Sequence, residues 1–312
     1  MIRRNEGITH TGTGNVNVTG IVGRHGTVIQ HPTPKASTSD RRVEGQNTVE
    51  KCDIAFLTAT PLETQSMFEE LRQRGANPRS IQRQGRYYDV FDLPSKGRAA
   101  RVVLTQATDK GGQSASAVTH DVLAGFQPQL VLLVGVCAGF NERKVSLFDL
   151  IIARNVFNYD PERVQPNSMG ARPQVYRADE QLLRLTSYMY NRGDLNDVLQ
   201  GANLHIKDYA SGEKVIAWRH AALRARLLNL STDLYAVETE AHGVMHAIWE
   251  TFKADEFVGG GMVKCVSDLG DEEMSFDKEV KQRKAARKAA RVALQLAAAF
   301  HRQYAKLPNS QL

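Results

Sequence analysis

The sequence predicts an α/β domain with a largely parallel or mixed central sheet covered by helices on both faces, preceded by a short β-prone arm. Three observations carry that prediction. Runs apolar enough to be buried on both faces recur from Asp53 onward, segments with helical periodicity fall between several of them, and residues 1–48 differ in composition from the rest of the chain. A strand buried on both faces needs a cover on each side, which alternating strands and helices supply.

The arm comes first. From Met1 to about Asn47 the chain is rich in Gly, Thr, Asn, Pro and Ser, with alternating stretches at Asn15–Val22 and Thr27–Ile29. Alternation of that kind reads as a short strand or hairpin, too small to bury a core alone, so the segment is either a loose arm or a strand that adds to another chain. The polar, proline-bearing run His31–Ser39 reads as a linker. Residues 1–48 therefore form arm and linker, and residues 49–312 the globular domain.

Within that domain the expected strands are Asp53–Thr58, Tyr88–Leu93, Ala100–Gln106, Leu130–Gly135, Leu150–Arg154, Lys207–Ala210, Tyr235–Val237 and Phe257–Val266. Helical periodicity marks Pro61–Arg74, Ser114–Gly125, Gln181–Asn191, Ala221–Asn229, Ala241–Phe252 and Asp277–Tyr304. In the last of these, Lys278, Lys281, Arg283, Lys284, Arg287, Lys288 and Arg291 alternate with alanines and precede Val292, Leu294, Leu296 and Phe300. Its basic face reads as a solvated surface, because no aromatic residues interleave with the charges to stack on nucleic-acid bases.

Composition narrows the functional classes. With 312 residues, 42% of them hydrophobic, a core can form without disulfides or metal. The three cysteines, Cys52, Cys137 and Cys265, are too few and too scattered for a disulfide framework and fit a reducing, cytoplasmic setting. No stretch of about 18 apolar residues offers a membrane span, and the start of the chain has no signal-peptide pattern. A net charge of +6 can steer an anionic substrate but is too small to indicate nucleic-acid binding.

Chemistry in such a sheet gathers beyond the strand ends. Four of them carry polar or glycine-rich sequence that packing does not require: Leu57–Glu63; the Thr108–Ser114 loop together with the turn Gly135–Gly139; Val237–Ala241; and Cys265–Asp271. Glycines there let backbone amides approach an anion or a sugar oxygen. Three carboxylates, Glu63, Glu240 and Asp268, would converge from distant parts of the chain.

In order and spacing these motifs resemble the nucleoside phosphorylase superfamily, specifically its methylthioadenosine and adenosylhomocysteine nucleosidase branch, over roughly Cys52 to Tyr304. The match rests on Ile54–Glu63, the Gly-Gly loop, Gly135-Val136-Cys137-Ala138-Gly139, Ser211-Gly212-Glu213, Val237–Ala241 and Ser267-Asp268 taken together. It implies a three-layer α/β/α phosphorylase-type domain and an N-glycoside hydrolase that releases adenine from a nucleoside or nucleotide. By the same resemblance Asp268 gives a proton to adenine N7, Glu63 activates water, and Glu240 grips the ribose hydroxyls. The other substrate-binding positions it implies are Thr239, Cys137, Ala138, Gly139, Gly112, Val215, Ile216, Ser267 and Lys264. Cys137, Phe140 and Thr239 stand where relatives more often carry serine, glycine and methionine, and Val215 where nucleosidases usually carry phenylalanine. Lys110 and Lys264 suit a phosphorylated substrate. Domains of this type also serve as effectors in bacterial antiviral systems, cleaving adenine from ATP or related nucleotides, and the resemblance extends the expectation to nucleotide depletion.

Plainer readings stand beside these. Thr60-Pro61-Leu62-Glu63 is a helix capping box, Glu240 suits the first turn of a helix, and Asp268 suits a turn. Glu238, His242, His246 and Glu250 share a four-residue spacing that invites a metal, yet packing explains them better, and Cys137 in a glycine turn reads as packing rather than a nucleophile. Neither metal nor cofactor is expected. The resemblance implies a homodimer or larger assembly, with the arm available to a protein partner and no role for membrane or nucleic acid. A phosphate-dependent phosphorylase and a non-catalytic nucleotide sensor are the rival functions.

Overall fold

The structure, a computed structural model, describes residues 50–95, 98–165, 168–218, 220–252, 258–272 and 277–304. The expected arm strands and linker, Val49 and Phe257 lie outside the described residues. In chain order the elements are β1 (Ile54–Thr58), α1 (Pro61–Gln73), β2 (Pro78–Arg83), β3 (Arg86–Leu93), β4 (Ala100–Gln106), α2 (Gly112–Phe126), β5 (Leu130–Gly139), β6 (Leu150–Asn158), β7 (Glu162–Gln165), β8 (Ser168–Ala171), β9 (Gln174–Arg177), α3 (Glu180–Asn191), α4 (Asn196–Leu199), β10 (Leu204–Ser211), α5 (Ala222–Leu228), β11 (Leu234–Glu238), α6 (Ala241–Phe252), β12 (Gly259–Asp268) and α7 (Lys278–Tyr304).

Strand periodicity sorts the core into two layers. Ile54 and Phe56 of β1, Leu130, Leu132 and Val134 of β5, and Val263 and Cys265 of β12 point to the side covered by α1, α3 and α7. Their neighbours Ala55, Leu57, Val131, Leu133, Met262 and Val266 point to the opposite side, under α2 and α6. The chain is thus a three-layer α/β/α domain, with strand order β11-β10-β6-β12-β5-β1-β4-β3-β2 and β9 added on β6. Its central neighbours β4, β1, β5 and β12 run parallel, while β2, β3 and β9 join antiparallel.

One pairing closes the sheet on itself. Beyond its partnership with β12, the end of β5 pairs antiparallel with β11, Ala138 opposite Val237 and Gly139 opposite Ala236. Strands β5, β12, β6, β10 and β11 therefore form a ring, at whose rim β5, β10, β11 and β12 all end. This corrects the reading of Gly135–Gly139 as a turn: it is strand, paired with β12 from Gly135 to Ala138 and with β11 at Ala138 and Gly139.

The basic face of α7 is also less free than its sequence suggests. Arg287 and Arg291 pair with Glu69 and Glu70 of α1 at 2.7 and 2.8 Å, and the buried Lys288 donates to the Leu199 carbonyl at 2.9 Å. Its alanines, including Ala289, Ala293 and Ala297, are fully buried and let the helix sit close to the sheet. Among the described residues no helix is long and apolar enough to cross a membrane.

Candidate active site

A cavity of about 160 Å³ opens at the rim of the strand ring, and its walls bring the expected residues together. Glu63, Cys137, Ala138, Val215, Ile216, Thr239, Glu240, Ser267 and Asp268 all line it. Gly112, Gly139 and Lys264 do not. A larger cavity of about 430 Å³ lies between α6 and the start of α3, walled by Met245, Ile248, Trp249 and Val258, but it gathers none of the three converging carboxylates. The smaller, polar cavity is the candidate site.

Glu63 both closes a helix cap and lines the cavity. Thr60 caps α1 and Glu63 closes the box, its Oε2 accepting the amides of Thr60 and Ala59 at 2.9 and 3.0 Å. Its other oxygen accepts the Val136 amide of β5 at 2.8 Å. The carboxylate lies flat against Gly135, where any Cβ would overlap it, so β5 needs a glycine here. Burial raises the Glu63 pKa, with Glu240 adding to the rise and Lys264 opposing it.

Beneath the cavity lies a buried charge cluster. The Lys264 ammonium, 1% exposed, donates to Glu238 Oε2 at 2.8 Å and Glu240 Oε2 at 3.2 Å. Burial alone would lower its pKa, but the carboxylates of Glu238, Glu240 and Glu63 outweigh that and raise it. Lys264 is therefore an internal counter-ion, and the expectation that it meets a substrate phosphate is corrected. Glu238 also accepts the amides of Glu240 and Ala241, which caps the start of α6. With the carboxylates ionised, three negative charges face one positive charge.

Glycine amides expected to hold an anion are already occupied. Gly111 donates to Glu240 Oε1 at 3.3 Å, which also accepts the Thr239 hydroxyl at 2.5 Å, and Gly112 donates to Glu213 Oε1 at 2.9 Å. His242, bonded through Nδ1 to the Ser211 hydroxyl at 2.9 Å, stands 3.7 Å from Glu213 through Nε2. A Cβ on Gly112 would overlap that imidazole, and one on Gly243 would overlap the Gly112 carbonyl. Sequence reasoning missed this role for Glu213 and His242, whose partners lie as much as a hundred residues away. Among the described residues no group of three His, Cys, Asp or Glu side chains is placed to hold a metal, and His246 meets the Tyr176 hydroxyl at 3.2 Å.

Asp268 sits where β12 leaves its register with β5, a bulge between Val266 and Asp268 that re-aims the end of the strand. Its carboxyl accepts the Ser267 hydroxyl and the Gly270 amide, each at 3.0 Å, and burial pushes its pKa up. Burial likewise holds the Cys137 thiol well above its ordinary value, so it is no thiolate nucleophile at neutral pH.

The loop after Asp268 is fastened by Arg224 of α5, 1% exposed. Its guanidinium makes a fork with Glu142 at 2.8 and 3.0 Å, donates to the Leu269 and Gly270 carbonyls at 2.8 and 3.3 Å, and stacks over Phe140 at 4.8 Å. A lysine offers no such fork. With Asp268 as the proton donor that the sequence resemblance implies, Arg224→Lys is expected to lower kcat about tenfold and to move the alkaline limb of the pH profile. A purely structural role would lower the melting temperature and leave that limb in place.

Residues 53–298 match the family model of the phosphorylase superfamily. The chain belongs to that superfamily. Among curated superfamily relatives, the ATP nucleosidase Cap17 of Escherichia coli strain KTE188 is 26% identical over 241 residues, covering 70% of this chain and 46% of that protein. A death domain-containing ATP nucleosidase of Amphimedon queenslandica is 23% identical over 283 residues, covering 84% and 51%. The chain spans about half the length of these relatives. Among solved structures, futalosine hydrolase of Helicobacter pylori aligns with a TM-score of 0.64 at 19% identity, covering 80% of this chain and 98% of that one. The 5′-methylthioadenosine/S-adenosylhomocysteine nucleosidase of Neisseria meningitidis aligns with a TM-score of 0.64 at 17% identity, covering 79% and 99%. At these identities both likenesses are of fold alone.

Proposed function

We propose that this domain hydrolyses the N-glycosidic bond of an adenine nucleoside or nucleotide and releases adenine. One observation carries the reading: Glu63, Glu240 and Asp268 line a single cavity above a buried cluster with more negative than positive charge. Departure of the base leaves positive charge on the ribose and negative charge on the purine. The carboxylate cluster favours the first, and a protonated Asp268 relieves the second by giving its proton to N7. The electron pair of the C1′–N9 bond leaves with adenine. Water then bonds to C1′ and yields its proton to Glu63, while Glu240 accepts the ribose hydroxyls.

Phosphorolysis fits this site poorly. An incoming phosphate would meet Glu63, Glu240 and Glu213, and the loop amides that could cradle it are bonded to two of those carboxylates. Glu63→Gln separates the two reactions. Glutamine can still complete the capping box through its one oxygen, but its NH2 then faces the Val136 N–H that Oε1 accepts in the glutamate, so some stability is lost; hydrolysis falls about a hundredfold, as loss of a general base does, and inorganic phosphate does not restore it. Turnover that needs phosphate and survives this substitution would assign the domain to phosphorolysis.

The curated relatives are named ATP nucleosidases, which supports the same bond and base and, with it, nucleotide depletion as the biological role. Homo-oligomeric assembly, with residues 1–48 engaging a protein partner, belongs to the same proposal; sedimentation of the full chain reads the assembly.

A further inference from the structure

The catalytic cavity continues outward into a second chamber of about 690 Å³, and the two share Ala59, Thr60, Lys110, Val136, Lys278 and Gln282 in their walls. We propose that this chamber is a subsite for the 5′-polyphosphate of an adenine nucleotide, with Lys110 and Lys278 as the residues that select it. The proposal rests on the N-glycosidase reading and adds to it which end of the substrate each wall meets.

Ribose geometry fixes the direction. A β-nucleoside carries its base on C1′, its hydroxyls on C2′ and C3′, and its 5′ substituent on C4′, so assigning two of these directions determines the third. The base lies toward Asp268 and Ile216, and the hydroxyls toward Glu240. What remains for C5′ is the side of Thr60 and Lys110, where the outer chamber begins.

Charge distinguishes this wall from the rest of the site. Of four lysines at or below the cavity, two are neutralised: Lys264 by Glu238 and Glu240, and Lys214 by Asp160 at 2.6 Å. Lys110 and Lys278 form no ion pair among the described residues, and both are exposed. Asp109 is the one carboxylate on the outer wall among the described residues, against these two ammonium groups. Phosphates reaching past Glu63 and Glu240 would otherwise be repelled by the buried carboxylates, so cations at the mouth are what an anionic 5′ group requires. A methylthio group has no use for them and would have to desolvate them.

The test follows adenine release from ATP, ADP, AMP, adenosine and methylthioadenosine by the full chain and by Lys110→Ala, Lys278→Ala and the double variant. We expect kcat/KM to rise from adenosine through AMP to ATP. Each substitution should lower the ATP value about tenfold, the size of one charge-assisted hydrogen bond, with adenosine changed less than about twofold. A preference for methylthioadenosine, or losses equal across all substrates, would overturn the assignment while leaving the N-glycosidase reading intact. Calorimetric binding of ATP and adenosine to the Asp268→Asn protein, with and without the two lysines, decides the question independently of turnover. Tighter binding of ATP that vanishes with the lysines supports the subsite, and equal affinities refute it. Release of adenine from none of the five compounds would instead count against the activity.

Discussion

Asp268→Asn is expected to lower kcat for adenine release about a thousandfold, within the range found for positioned general acids, with little change in KM or melting temperature. Asparagine keeps the size of the side chain and an oxygen for the Gly270 amide, and its NH2 can donate to the Ser267 oxygen while that hydroxyl turns its proton to the Cys137 carbonyl, so the loop can stay in place. It has no acidic proton for N7. The pH dependence comes from the same groups. In the proposed mechanism Asp268 acts protonated, and its pKa is raised by burial, so activity should persist above the ordinary aspartate range and be lost as pH rises through the folded-state value. In the same mechanism Glu63 acts ionised, and its pKa is also raised by burial, so activity should be lost as pH falls through its own value. The profile of kcat is expected to be a bell, and the asparagine variant should lack the alkaline limb. Residual activity within tenfold of the unmodified protein would place the proton donor elsewhere.

Lys264→Met should produce the largest loss of stability. Removing one partner of a fully buried ion pair leaves its charge uncompensated, at a cost of about 3–5 kcal/mol. Here two carboxylates, Glu238 and Glu240, lose the same ammonium, and both are buried. For a domain of this size the melting temperature should fall by about 10 °C or more. A second substitution, Glu238→Gln in the Lys264→Met background, removes one uncompensated charge and should recover part of the loss, giving a non-additive double-mutant cycle. If thermal unfolding shows Lys264→Met to be as stable as the unmodified protein, the cluster is not the electrostatic centre of the site.

Much of the architecture could be read from the chain because its signals are local. The apolar runs of β1, β5 and β12 and the capping box of α1 announce themselves within a few residues. Strand β2, with the sequence Pro-Arg-Ser-Ile-Gln-Arg, has no such pattern and is held extended by backbone pairing with β3. Short strands β7, β8 and β9 and the single turn α4 were missed for the same reason. Glycine punctuation at Gly135 and Gly139 suggests a turn, but strand pairing, of Gly135 with β12 and of Gly139 with β11, keeps both extended.

At the site, the carboxylates Glu63, Glu240 and Asp268 could be picked out only by the joint order of several motifs, since each alone suits a cap or a turn. The placement of Lys264 was not legible, because a lysine in an apolar strand gives no hint of which acids surround it. Arg224 carries no motif either. Its fork depends on Glu142, 82 residues away in sequence, being folded back against α5.

The closed ring of strands has a bearing on how such a site could change. Because β5 is bonded to β12 on one edge and to β11 on the other, the floor beneath the ribose has no loose margin that could peel away or shift register singly. Variation in what the pocket accepts is therefore confined to side chains that stand on the rim, such as Val215, Lys110 and Lys278. A lineage of such proteins could move from one 5′ substituent to another by exchanging these few positions, while the bond-breaking apparatus below stays as it is.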